Sequence, residues 1–203
     1  MTTKNTSSAS AGELAAQAGV RPLSPLRAIA RESALILSGT AAIALIGQLA
    51  IPLPFTPVPI TLGTFAALAV GVVLGSRRGV AASLLLAALA AAGAPVLAGW
   101  TSGVGVTFGY VLGYALIADI AGRAARLWTR SADASALHRT LVAFAVMLVA
   151  SSIVFVPGVI WLKLATGMDW GSALGLGLVP FLVGDVIKAM AATSLLPFRG
   201  RLH

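Results

Sequence analysis

The chain contains no cysteine. Disulfide scaffolds, thiolate nucleophiles and cysteine-ligated metals are therefore excluded. Histidine is nearly as scarce: His138 sits in a basic stretch and His203 at the end, too few for a zinc or di-iron centre. Charge is sparse as well, with only 10% Asp, Glu, Lys and Arg against about 25% in ordinary soluble domains. Neither GxxxxGK[ST], HExxH nor GxSxG occurs, which removes a P-loop, a zincin helix and a hydrolase elbow. No catalytic residue, metal or cofactor is expected.

What is present is apolar. Of the 203 residues 58% are hydrophobic, and mean hydropathy is +0.96. The charge-free runs are long, as hydrocarbon requires. Residues 1–31, rich in Ser, Thr, Ala and Gly, lack a continuous apolar core and read as a disordered cytoplasmic tail, not a signal peptide. Residues 32–203 read as one membrane domain. Apolar segments run from Ser33 to Ile51, Ile60 to Gly75, Gly79 to Ala98, Gly103 to Ala121, Leu141 to Leu162 and Ser172 to Leu196, the last interrupted by Pro180. At about 1.5 Å per residue each reaches roughly 24 Å or more, enough to cross a bilayer. The expected fold is an all-α membrane protein of six transmembrane helices.

The net charge of +8 does not indicate nucleic acid, because the basic residues lie between apolar spans and not in a stripe with aromatics. Twelve of the fourteen fall on one side: Lys4, Arg21, Arg27, Arg31, Arg77, Arg78, Arg123, Arg126, Arg130, Arg139, Arg199 and Arg201. The positive-inside rule puts that side, and both termini, in the cytoplasm of a multi-pass cell-membrane protein. Outer loops then fall around residues 52–59, 96–102 and 163–171.

Asp185 and Lys188 stand out within Pro180-Phe-Leu-Val-Gly-Asp-Val-Ile-Lys188. An ionisable group at mid-membrane costs about 2.5–3.5 kcal/mol on insertion scales, so such groups face a cavity or a partner. At i, i+3 they share a helix face. Pro180 suits a helix's first turn, which sets Asp185 roughly 8 Å and Lys188 roughly 12 Å below the start. Together they offer acceptors and donors to a polar ligand; the plain alternative is a salt bridge that fixes packing. The segment Ile51-Pro-Leu-Pro-Phe-Thr-Pro-Val-Pro-Ile-Thr61 cannot continue a helix. It is either a rigid connector or a lid whose Phe55 touches the ligand. In Gly99-Trp-Thr-Ser-Gly-Val-Gly-Val-Thr-Phe-Gly-Tyr110, Thr107 and Tyr110 offer hydroxyl and stacking groups, and Trp100 is an interfacial anchor or a ligand contact. Ala30, Ala34, Ser38 and Ala42 recur every four residues as a smooth helix face for internal packing or a partner subunit. Asp119 is placed to pair with Arg123 at i, i+4.

Three blocks resemble the BioY family, the biotin-specific substrate-binding components of energy-coupling factor (ECF) transporters. They are Ile51 to Thr61 with Gly63-Thr-Phe65; Gly93-Ala-Pro-Val with Gly105 to Tyr110; and Pro180 to Lys188. The resemblance covers roughly residues 33–197. The chain departs from the family's usual Gln-Thr at Gly63-Thr64 and from its usual tyrosine in the third span, where Leu84 to Leu86 stand. The resemblance implies an outward-facing biotin pocket in which Asp185 accepts the ureido N–H donors and Lys188 donates to a ligand oxygen. It also implies a transmembrane coupling subunit and two ATPases as partners, docking on the Ala30 to Ala42 face. Competing readings are an S-component for another small vitamin and a structural membrane adaptor. An intramembrane enzyme pairing Lys188 with Ser194 fails because i+6 puts the two on different helix faces.

Overall fold

A computed structural model describes residues 25–130 and 135–199. By its contacts the chain divides into residues 1–33 and 34–203. Of the first unit, residues 25–33 are described and are helical and exposed; helix α1, Pro25–Gly47, begins with a proline, whose missing N–H has no helical partner at that position. Residues 25–31, assigned by sequence to the tail, are thus helical, while residues 1–24 of that tail lie outside the described residues.

In the second unit α1 ends four residues earlier than its apolar run. The chain turns at Gln48 and Leu49 into a short strand, β1 (Ala50–Ile51), which pairs antiparallel with β2 (Ile60–Thr61). The proline-rich segment is therefore a strap closed at its base and not a straight run. Two short helices follow, α2 (Gly63–Leu74) and α3 (Ser76–Ala91), hinged at Gly75. Helix α3 stops before Gly93, which has φ +95°, and Pro95, so the apolar run to Ala98 is half helix and half loop. A 3-10 turn, Ala98–Trp100, leads into α4 (Phe108–Arg130). Here helix and apolar run differ in both directions. The start is delayed by Gly103 and Gly105, and the helix continues through Arg123 and Arg126, because charge ends a membrane span without ending a helix.

Helices α5 (Ala136–Ile153) and α6 (Phe155–Thr166) form one long stretch broken at Val154, where Pro157 cannot donate to the Ile153 carbonyl. Asp169 caps α7 (Trp170–Gly177) by accepting from the Ser172 N–H at 3.1 Å and its hydroxyl at 2.6 Å, which holds this exposed carboxyl below the usual carboxylate range. A 3-10 turn, Val179–Phe181, contains Pro180 and precedes α8 (Leu182–Ser194); α9 is Leu196–Arg199. Pro180 thus belongs to the break before α8 and not to its first turn, so Asp185 is itself a first-turn residue, shallower than the sequence spacing suggests.

Helix α4 is the central element, packed against α2, α3, α5 and α6. Its Ile117, Ala118, Ala121 and Ala125 are fully buried. Small residues make that approach possible: a Cβ on Gly71 of α2 would overlap the Ala118 backbone. At the foot of the bundle Asp119 accepts from the Ser76 hydroxyl and from Arg123 Nε at 2.8 Å, as its spacing predicts. Large apolar side chains meanwhile point outward, among them Leu164, Val183 and Ile187. Pro25–Gly47, Ala136–Thr166 and Trp170–Ser194 are each long and apolar enough to cross a membrane. With outward faces of this kind the protein is a membrane protein.

Candidate ligand-binding site

A cavity of about 370 Å³ lies in the second unit, within the range of small-molecule sites. One wall comes from α8, where Asp185 and Lys188 both face it. A second comes from α4 with Tyr110, Val111 and Tyr114. The strap residues Pro57, Val58 and Pro59 and the loop residues Val96 to Ala98 close the outer end.

Asp185 is only 3% exposed. It stands at the N-terminus of a helix that starts inside the apolar stretch, where the backbone dipole and free N–H groups favour negative charge. Its carboxylate accepts one hydrogen bond from the Ser151 hydroxyl on Oδ1 and another from Ser152 on Oδ2 at 3.2 Å. Asp185 and Lys188 make no ion pair with each other. One turn of helix separates an acid held by serines from an amine that faces the cavity, so a ligand there meets acceptor and donor at once. They are neither turned toward lipid nor locked together in packing.

Aromatic rings form the apolar wall. Tyr110 meets Phe155 edge-on with ring centres 6.4 Å apart, and Phe155 lies 6.4 Å from Phe181. Gly158 makes room for this arrangement, since any Cβ there would enter the Tyr110 ring. The Tyr110 hydroxyl donates to the Gly177 carbonyl at 2.7 Å, so the residue offers the cavity its ring while its polar tip holds the end of α7.

The two closing loops are tied down by side chains. Thr56 donates to the Leu176 carbonyl at 2.8 Å and receives the Val58 N–H at 3.2 Å, anchoring the strap on α7. Gln48 Nε2 donates to the Leu97 carbonyl at 3.0 Å, while its Oε1 accepts the Trp100 N–H at 3.0 Å. That clamp holds Trp100 at φ 56°, a strained backbone for a bulky residue. Trp161 Nε1 adds a bond to the Gly105 carbonyl at 3.0 Å.

Of the residues singled out from sequence, the cavity gathers Asp185, Lys188, Tyr110 and Thr107. Phe55 and Trp100 stand outside it, each 58% exposed. In the strap it is Val58 and the flanking prolines that line the cavity, and Phe55 points away. Sequence reading passed over Gln48, Thr56, Tyr114, Ser151, Ser152, Phe155 and Phe181. Two adjacent serines inside the apolar run 141–162, just before a proline, were a visible signal. Tyr114 repeats Tyr110 one helical turn on. Gln48 and Thr56 carry no pattern, because their partners are backbone carbonyls far along the chain. On α1, Ala30, Ala34 and Ser38 are exposed and Ala42 is half-buried.

Comparison with known proteins gives a consistent answer. Residues 13–202 match the BioY family. The chain is 37% identical over 159 residues to the biotin transporter BioY2 of Lactococcus lactis subsp. cremoris, covering 78% of this chain and 84% of that protein. It is 32% identical over 149 residues to the biotin transporter BioY of Rhizobium etli, covering 71% and 79%. Its fold superposes with a TM-score of 0.72 and 26% identity on a crystal structure of the S-component for biotin from an ECF-type ABC transporter, covering 90% of this chain and 96% of that one. This chain belongs to the BioY family.

Proposed function

We propose that this protein captures biotin at the outer face of the cytoplasmic membrane and serves its uptake as the substrate-binding component of an ECF-type transporter, not as an enzyme. The carrying observation is an acid and an amine, Asp185 and Lys188, facing one apolar cavity of suitable size. The names of the relatives supply the vitamin. Biotin has the complementary parts. Its ureido group presents two N–H donors to the Asp185 carboxylate, while an oxygen of the ligand accepts from the Lys188 ammonium. The thiophane ring and valeryl chain lie along the Tyr110, Phe155 and Phe181 rings, with Thr107 near the mouth. Phe55 and Trp100, exposed beside the two closing loops, act at the entrance and not on bound ligand.

Six membrane crossings with both termini in the cytoplasm accord with the one-sided distribution of basic residues. The exposed face of Ala30, Ala34 and Ser38, with Ala42 at its edge, is the docking surface for a transmembrane coupling subunit, which in turn engages two ATPases. Those chains supply the energy, since this one lacks a phosphate-binding loop.

The test is a ligand screen on detergent-purified protein. Titrated with biotin and with other small water-soluble vitamins, it is expected to saturate with biotin alone. Saturation by a different vitamin, with none by biotin, overturns the assignment of the ligand.

A further inference from the structure

Hydroxyls inside helices ordinarily turn back on their own helix. Ser83, Thr140, Thr166 and Thr193 do so here, each donating to the carbonyl four residues earlier. Ser151 and Ser152 behave differently. Both reach across from α5 to α8, and each takes a different oxygen of Asp185. Neighbouring residues on a helix diverge by about 100°, so one carboxylate meets two of them only by spanning the gap with its two oxygens. The helix is also altered at this point. Pro157 leaves the Ile153 carbonyl without its usual donor, and the Val154 N–H bonds to the Ser151 carbonyl at 3.2 Å, tightening the turn that carries the serines.

The consequence concerns Lys188. In a site of low polarity the default partner of a carboxylate is the nearest cation, and Lys188 lies three residues away on the same face. An ion pair between them would satisfy both and leave a ligand little to bind. The serines satisfy one lone pair on each carboxylate oxygen with neutral donors, leaving the remaining lone pairs and the whole ammonium to the cavity.

We propose that Ser151 and Ser152 are positioning residues: from the break between α5 and α6 they hold the Asp185 carboxylate away from Lys188, so that acid and amine both remain free for the ligand. The affinity part of this inference rests on the biotin reading; the contact itself does not.

Two measurements on purified protein in nanodiscs decide it. First, the Asp185 carboxylate band is isolated as the infrared difference between the wild type and Asp185→Asn, without ligand. It is expected to move when Ser151→Ala and Ser152→Ala are combined, and an unmoved band overturns the proposal. Second, biotin affinity is compared by calorimetry. Hydrogen bonds to charged groups are worth about 1.5–3 kcal/mol, so the double-alanine variant is expected to bind at least about tenfold more weakly. Its ligand-free melting temperature is expected to stay close to that of the wild type. Ser152→Thr, which keeps the hydroxyl, is expected to stay within about threefold of the wild type, where the loss of a single weak contact would fall. Wild-type affinity in the double-alanine variant, or a Ser152→Thr affinity as low as that of Ser152→Ala, overturns the positioning role. A wild type that ignores biotin while the band still moves would refute the biotin reading and leave the serine contact standing.

Discussion

Asp185 and Tyr110 both face the cavity, yet they use their polar atoms in opposite ways. The acid keeps lone pairs for the cavity because serines occupy only part of it, whereas the tyrosine spends its hydroxyl on Gly177 and contributes only a ring. Substitution separates these roles. Tyr110→Phe strands the Gly177 carbonyl at the end of α7, a loss of about 1–3 kcal/mol for a buried acceptor. The variant is expected to melt at a lower temperature in detergent while its biotin affinity changes little. A large loss of affinity without a drop in melting temperature would show that the hydroxyl serves the ligand instead. At this scale sequence was informative for charge and poor for hydroxyls. Asp185 and Lys188 are conspicuous because hydrocarbon makes any ionisable residue costly. Ser151 and Thr56 cost little wherever they sit, so their partners appear only once the helices are assembled.

Broken elements place the site. The last apolar run reads as one span, but α7 stops at Gly177, a 3-10 turn intervenes, and α8 restarts at Leu182. Free backbone groups inside an apolar stretch are tolerated only where they line a cavity or are otherwise satisfied, and half-helix N-termini aimed at a site are a recurring way to bind polar groups there. Pro180 announced the interruption; that Asp185 would fall in the new helix's first turn did not follow from it. The strap is the second case. Four prolines between residues 52 and 59 forecast a non-helical connector. The β1–β2 pairing at its base and the Thr56 anchor on Leu176 depend on partners that proline spacing does not reveal. Thr56→Val removes that anchor and about 0.5–1.5 kcal/mol with it, so biotin is expected to leave about two- to tenfold faster, as read by chase of pre-bound labelled vitamin. An unchanged release rate would mean that the strap does not restrain the ligand.

The whole chain is organised by two asymmetries, apolar side chains outward along the helices and basic residues at one end of them. Both were legible in sequence, because the bilayer imposes them on composition before any packing is considered. Helix limits were less so: α4 runs nine residues past the apolar segment's end at Ala121, to Arg130, since hydropathy reports where lipid stops and not where hydrogen bonding does. The absence of cysteine makes the orientation directly testable. A cysteine at Ser102 is expected to react with a membrane-impermeant maleimide in intact cells, and one at Thr129 only after permeabilisation; the reverse pattern would invert the topology. The most direct measurement of all is an equilibrium biotin titration of purified wild type, Asp185→Asn and Lys188→Ala. If the acid and the amine hold the vitamin, each substitution weakens binding by about thirtyfold or more, the scale of removing one partner from a buried charged contact. Equal affinity in all three proteins would contradict it.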